Sequence, residues 1–600
     1  MSLLRLFPLV LLPATFAAAC GDDPEGPGGS GGSGGSGGQA AVDACADVDS
    51  LRATCEALPE RFDTSTTLAK GCYRAAKSPE LGAGVTLTIA AGTTILFAEG
   101  TRLEVGEGQS LVASGTAEEP ICLTGDVAAR GSWGGLLLGR TEGAEHKLDH
   151  VTVQYAGSTD SDAEAAAVKV VSDSREVRLS LTDSTIRESE GFGLYLVGSA
   201  ELTGFSGNTL TKNTLGPASV DSDVAGFLDA TSTYSGNDVD EVFVRSNRLS
   251  KNLDWAAIDV PFHLSGYLHV DAPWVIEAPN TIILSEGGWI SVGGDDAAID
   301  ASGTAEAPIV FTGAEAVRGY WDAITFDGTN NAANRLAYVT IEYGGSTASD
   351  ANGAGVRAIA DSHGVTLSLE NTTLRENEGF GLYLAGTAVT PAFTGNTLTG
   401  NGLGPASVGA RAVHQLDATS TYTDNDVDRL RVRDDRVNAI VSWRDLGVPY
   451  ELESDLHVDA VWTLEPGVTL MLPEDGWIGV GGDDAALHAV GTAEKPITIT
   501  GVEQTNGYWH SIIFDTTINA GNSLEHAVIE YGGSMSGAGE AGMITAKSDS
   551  HGVVVNVKNS VVRQSAQWGI WLGGYAQYNA DIESSNTFEG NSGGDVYIAQ

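Results

Sequence analysis

The stretch GTAEEPICLTG at Gly115–Gly125 returns as GTAEAPIVFTG at Gly303–Gly313 and as GTAEKPITITG at Gly491–Gly501, 188 residues further on each time. Other landmarks keep that offset: Trp133, Trp321 and Trp509; Tyr155, Tyr343 and Tyr531; Phe192, Phe380 and Trp568. The folded part of the chain is therefore one unit written nearly three times, which directs the reading toward a stacked architecture rather than a set of unrelated cores.

Within a unit the apolar residues alternate with a period of two. Val177, Leu179 and Leu181 match Val365, Leu367 and Leu369, and then Val553, Val555 and Val557, with polar or small residues at most positions between them. This is a strand pattern, and Gly, Asn, Asp and Ser punctuate it as turns. A shorter period sits inside the long one: Ser189, Asn213 and Asn237 lie 24 residues apart, as do Asn377, Asn401 and Asn425. Two dozen residues holding three short strands describe one turn of a parallel β-helix, with asparagines laddered in one turn of each coil. Dividing 188 by 24 predicts about eight coils per unit, and roughly 22 coils, about 105 Å, from Thr66 to Gln600. A two-residue insertion near Gly574 displaces Asn586 and Asn591 from the positions of Asn396 and Asn401.

The front end has a different character. Arg5, the apolar run Leu6–Leu12 and the small residues Ala17-Ala18-Ala19 form a secretory signal, too short to be a stable membrane span. Ending directly in Cys20, it resembles the lipobox of bacterial lipoproteins, which implies that Cys20 is lipidated. Gly28–Gly38 is a flexible Gly/Ser tether. Four further cysteines, Cys45, Cys55, Cys72 and Cys122, make an even number in an exported chain and read as two disulfides with three possible connectivities. Cys122 becomes Val310 and Thr498 in the later units, so its thiol belongs to the N-terminal end. The favoured pairing is Cys45 with Cys55 and Cys72 with Cys122, stapling the segment over the first coils. A metal site is the alternative, disfavoured because no histidine stands beside these cysteines at ligand spacing.

The expected organisation is a signal peptide over 1–19, lipidated Cys20 and linker over 20–40, and a cysteine-bearing cap over 41–65. The β-helix units follow over 66–258, 259–446 and 447–600, the last truncated. The order PGVTLML, GWIGVGG, AVGTAEKPITITG, YWHSIIF, LEHAVIEYGG from Pro466 to Gly533 resembles the right-handed parallel β-helix proteins of bacterial surfaces, with a pectate-lyase-like fold. That resemblance implies an all-β solenoid over nearly everything after residue 66. It implies little about activity, since such coils carry lyases, hydrolases and adhesins.

Polysaccharide hydrolases of this fold use paired aspartates with a His-Gly, which draws attention to Asp295-Asp296 with His363-Gly364 and to Asp483-Asp484 with His551-Gly552. A separation of 68 residues predicts nearly three coils, about 14 Å, between Asp295 and His363, and unit one has Glu107 and Arg175 instead. Turn residues are the simpler reading. Asp424, Asp426 and Asp428 resemble the start of a calcium loop, but no glycine and bidentate glutamate follow at loop spacing; a solvated turn is preferred, and weak calcium binding stays open. Arg429, Arg431 and Arg433 alternate toward one solvent face, with no convergent partner visible. Trp289, Trp321, Trp477 and Trp509 read as core or edge packing, or, if outward, as a sugar-stacking track.

The charge of -47, from 32 basic against 79 acidic residues, argues against nucleic acid as a partner. The expectation is a lipoprotein held at the bacterial outer membrane and exposed at the cell surface. Its elongated β-helix serves binding or adhesion, with extracellular polysaccharide as partner, no assigned catalytic residue and no cofactor. A polysaccharide lyase or glycoside hydrolase, and a purely structural spacer, are the alternatives. Enzymatic activity is disfavoured because everything notable is duplicated.

Overall fold

Alternation of inward Leu, Ile and Val with outward polar residues, at Val177–Thr182 and again at Val553–Lys558, gives strands that bury one face only. In the computed structural model the described residues are 43–599, apart from 47, 107, 140–144, 161, 163, 173–176, 199, 349, 362, 434, 535–541 and 549–550. The signal segment, Cys20, the Gly/Ser tether, Glu107 and Arg175 lie outside the described residues. Val42–Gln600 form one compact unit. Every strand pairing among the described residues is parallel, and neighbours are three strands apart in sequence except where Gly216–Val220 pairs with Val242–Val244 and Gly404–Val408 with Leu430–Val432, so the chain winds as a parallel β-helix with three faces. One apolar cluster runs through the interior from Leu58 to Ile582. Among the described residues no helix is long and apolar enough to cross a membrane.

The faces are continuous across the units, which fixes how the repeat maps onto the helix. Strand Ile121–Gly125 of unit one lies on the first face, its counterpart Ile309–Gly313 on the second, and Ile497–Gly501 on the third. Between counterparts stand twenty strand steps plus two positions outside named strands: Ser222–Ala225 and the bridge at Thr233, then Val413–Gln415 and the bridge at Thr421. Twenty-two faces are seven and one third turns, not eight. Each unit thus starts one face, or a third of a turn, beyond the last. Spacing by the asparagines misjudges this because it samples only the tight coils. Asn377 to Asn401 is 24 residues, whereas Thr152 pairs with Thr185 and Asp300 with Arg335 across 33 and 35. From Thr66–Leu68 to Gly594–Ile598 the helix makes about twenty turns, roughly 98 Å, rather than 22 turns and 105 Å.

The asparagine ladder is present. The Asn377 amide donates to Asn401 Oδ1 at 2.9 Å and Asn401 to Asn425 Oδ1 at 3.0 Å, and Asn213 meets Asn237 in the same way. In unit three Asn591 accepts from the Ser565 amide across 26 residues rather than 24, the effect of the insertion.

The disulfides join Cys45 to Cys122 and Cys55 to Cys72, which corrects the expected pairing. The reason is register. Thr94 pairs with both Cys72 and Cys122, so those two cysteines stand two rungs apart, about 9.6 Å, beyond the reach of a disulfide. Cys55 precedes Glu56, which pairs with Tyr73, so Cys55 and Cys72 occupy adjacent rungs. The segment before them lies along the first face, held by Cys45 and by Asp43, which accepts from Arg187 at 2.9 Å.

Candidate functional site

Parallel in-register pairing stacks outward side chains into files with a rise of about 4.8 Å. On the second face of unit one such a file runs Glu104, Leu137, Lys169, Tyr195, Ser219, Phe243 and His263. Its counterpart in unit two runs along the third face through Ser291, Thr325, Arg357, Tyr383, Ser407, Arg431 and Glu451.

In unit one the Tyr195 ring is held between two cations. Lys169 Nζ lies 4.7 Å and Arg245 Cζ 5.0 Å from its centroid, close enough for cation–π attraction. Tyr195 Oη donates to Glu164 Oε2 at 2.6 Å, Arg245 pairs with the same carboxylate, and Lys169 donates to Asp162 at 2.5 Å. The Tyr195 hydrogen bond, with Arg245 behind it, holds the Glu164 carboxyl below its usual range. Burial pulls Asp162 upward, but Lys169 and the Glu164 backbone outweigh it. Burial and the Glu164 carboxylate push the Tyr195 phenol up, so it stays a donor. Burial also raises Asp221.

Beside this cluster the sheet floors a groove of about 800 Å³, lined by Arg102, Glu104, Leu137, Asp160, Asp162 and Lys169 among others. Gly134 also lines it, and a Cβ there would come within 3.0 Å of Arg102. Units two and three carry Asp322 and His510 at that position. A sheet floor with paired charges, one of them the Lys169 that packs on Tyr195, offers the donors and acceptors that a chain of hydroxyls needs.

Unit two keeps the trio and changes its surroundings. Arg357 Cζ stands 5.4 Å and Arg433 Cζ 3.7 Å from the Tyr383 centroid. Arg357 pairs with Asp350 at 2.6 Å, as Lys169 does with Asp162. Glu164 is replaced by Asn352, however, and Arg433 Nη1 donates to Tyr383 Oη at 2.6 Å instead of meeting a carboxylate. Asp322 is raised by burial, and its Oδ1 has no protein partner.

The residues singled out from sequence fall as follows. Asp295, Asp296 and His363 are exposed. Their turns precede strands Ala298–Ser302 and Ser368–Glu370, which are two rungs apart, so the axial separation is about 10 Å rather than three coils. Coils of 35 and 33 residues account for the difference. Asp426 pairs with Arg318 at 2.8 Å, while Asp428 accepts from the main-chain N–H of Asn425 at 2.8 Å and closes its own turn. These carboxylates therefore do not converge. The arginines, by contrast, do have partners: Arg429 pairs with Glu451 at 3.0 Å, Arg431 lies 5.2 Å from the Phe380 ring, and Arg433 covers Tyr383. Trp321 and Trp509 are fully buried. Trp289 and Trp477 are half-buried at the surface; Trp289 stacks on Tyr267 at 4.9 Å, and Trp477 meets His457 edge-on at 4.7 Å. Among the described residues Asp149, His150 and Asp183 bring ligand atoms within 4.8 Å of one another, but Lys147 already pairs with Asp149 at 3.1 Å.

The cation–tyrosine–cation trio escaped the sequence reading although its parts repeat at 188, because its members are 26 and 50 residues apart and only the rungs bring them together. A family model, the pectate-lyase like beta helix domain, matches residues 61–203, the stretch that carries the groove. No curated protein and no solved structure matches the chain.

Proposed function

We propose that this chain is an exported lipoprotein, anchored through Cys20 to the bacterial outer membrane, whose β-helix binds extracellular polysaccharide in the groove of unit one. The observation that carries the reading is the groove itself: about 800 Å³ on a rigid sheet, with Lys169 and Asp162 fixed by each other and Tyr195 fixed by Glu164. Arg102 and Lys169 are outnumbered by Glu104, Asp160 and Asp162, so the lining has no positive excess to hold an acidic polymer and suits a neutral sugar chain. The similarity to a pectate-lyase like β-helix supports a carbohydrate role without naming a sugar.

A glycan array probed with the full chain tests the reading. Binding to neutral polysaccharides, weakened at least tenfold by Lys169→Gln and by Tyr195→Ala, is the expected result. Silence across the array, or binding indifferent to both substitutions, would refute the groove. New reducing or unsaturated ends in the bound polymer would make the chain an enzyme instead. Loss of membrane association in Cys20→Ser is the expected outcome for the anchor.

A further inference from the structure

The third face of unit two carries positive charge that no carboxylate answers. Arg433 spends Nη1 on Tyr383 Oη and Nη2 on the Leu384 carbonyl at 2.5 Å, and its buried Nε has no partner. Arg431 lies over Phe380, and among the described residues neither arginine has an acidic partner. Glu451, the next rung after Arg431, is taken by Arg429. Between Tyr383 and Arg431 in the same file stands Ser407, wholly buried with its Oγ unpartnered, as is Ser219 at the same place in unit one, so the serine does not set the two units apart. The Nε atoms of Arg357 and Arg433 on either side of the Tyr383 ring also lack acceptors, so these guanidinium groups are under-satisfied by the protein's own acceptors.

Unit one shows what a neutralised version looks like. There Arg245 is met by Glu164, and Phe243 stands where Arg431 does. On a chain of net charge -47, two arginines held over aromatic rings and left without counter-charge are not explained by solubility.

We propose that this patch, centred on Arg431 and Arg433, binds an oxyanion carried on a sugar chain: a uronate carboxylate or a sulfate ester. Guanidinium groups stacked on rings present N–H edges to such a group in a fixed plane. The sugar ring has its own platform on the same face. Trp289 stacks on exposed Tyr267, with 9° between their planes, three rungs or about 14 Å from Tyr383. The site is separate from the groove of unit one and stands or falls independently of it.

The test is calorimetric titration of the full chain with three tetrasaccharides: a neutral one, its sulfated form, and tetragalacturonate. At least one charged probe should bind tenfold or more tighter than the neutral one, and which of them does so identifies the anion. Arg433→Gln and Arg431→Gln should each remove that preference. Asn352→Glu should remove it too, because the main-chain N–H of Asn352 already donates to Asp350 as that of Glu164 donates to Asp162, so the new carboxylate is placed to reach Arg433. Lys169→Gln, in the groove, should leave the charged probe's affinity unchanged. Failure of both charged probes to bind, or charged-probe binding that Arg433→Gln and Arg431→Gln leave intact, would overturn the proposal. So would an Asn352→Glu chain of unaltered melting temperature that binds the charged probe as before.

Discussion

Units one and two are the same scaffold turned by a third of a circle, and they agree inside while differing outside. Trp133 and Trp321 are both fully buried, and each donates from Nε1 at 2.9 Å to a main-chain carbonyl, of Gln154 and of Glu342. Trp509 repeats this in unit three at 2.8 Å. Where an inward residue does change, the hydrogen bond is kept: the amide of Leu111 donates to His146, and those of Ile299 and Leu487 donate to Asn334 and Asn522 at the matching positions. Outside, Lys169, Tyr195 and Arg245 persist as Arg357, Tyr383 and Arg433, yet Glu164 becomes Asn352, Asp221 becomes Gly409 and Gly134 becomes Asp322. Packing against the rungs above and below constrains the inward positions, and the outward ones are free to take up separate chemistry.

The tryptophans offer the largest test. Replacing Trp133, Trp321 or Trp509 by alanine should each cost roughly 4 kcal/mol, from lost burial and a stranded carbonyl, and the three losses should agree within about 1 kcal/mol. Hydrogen exchange resolved by coil reads each unit separately; a cost confined to one unit would break the internal equivalence.

His146 makes unit one the acid-sensitive copy. Burial lowers its imidazole from 6.5 to about 4. Between those values the unfolded chain binds a proton that the folded chain does not, so stability falls as pH drops through that window. The loss amounts to roughly 3 kcal/mol once pH reaches about 4. His146→Asn, which copies units two and three, should abolish that part of the loss in urea titrations at pH 7 and pH 4.5. An unchanged pH dependence would show that His146 is not the source.

Smaller still is Asn401→Ala. It removes an amide that donates to Leu374 and Asn425 and accepts from Asn377, and should cost about 2 kcal/mol by thermal melting. Asn352→Glu should change stability least, by under about 0.5 kcal/mol as a partly exposed ion pair, while giving Arg433 the carboxylate that Arg245 has in unit one.

Much of the fold was legible because a repeat and a period of two survive any loop length: Val177, Leu179 and Leu181 announce a one-sided strand wherever it sits. Turn number was not, since the Asn377–Asn401 spacing measures only coils of 24 residues and says nothing of the loops that lengthen others to 33 and 35. The cysteine pairing failed for a related reason. That Thr94 stands between Cys72 and Cys122 is a fact about rungs, not about sequence distance. The candidate site was least legible: Arg431 and Arg433 were visible as an alternating run, but their aromatic supports, Phe380 and Tyr383, lie about 50 residues earlier and meet them only through stacking.

The central claim is that two copies of one scaffold bind sugar chains of different charge on different faces. Saturating the full chain with a neutral oligosaccharide and then titrating the acidic one tests it directly. The account predicts a second, undiminished binding event that weakens with rising salt while the first does not. Competition between the two ligands, or loss of both in Asn352→Glu, would contradict it.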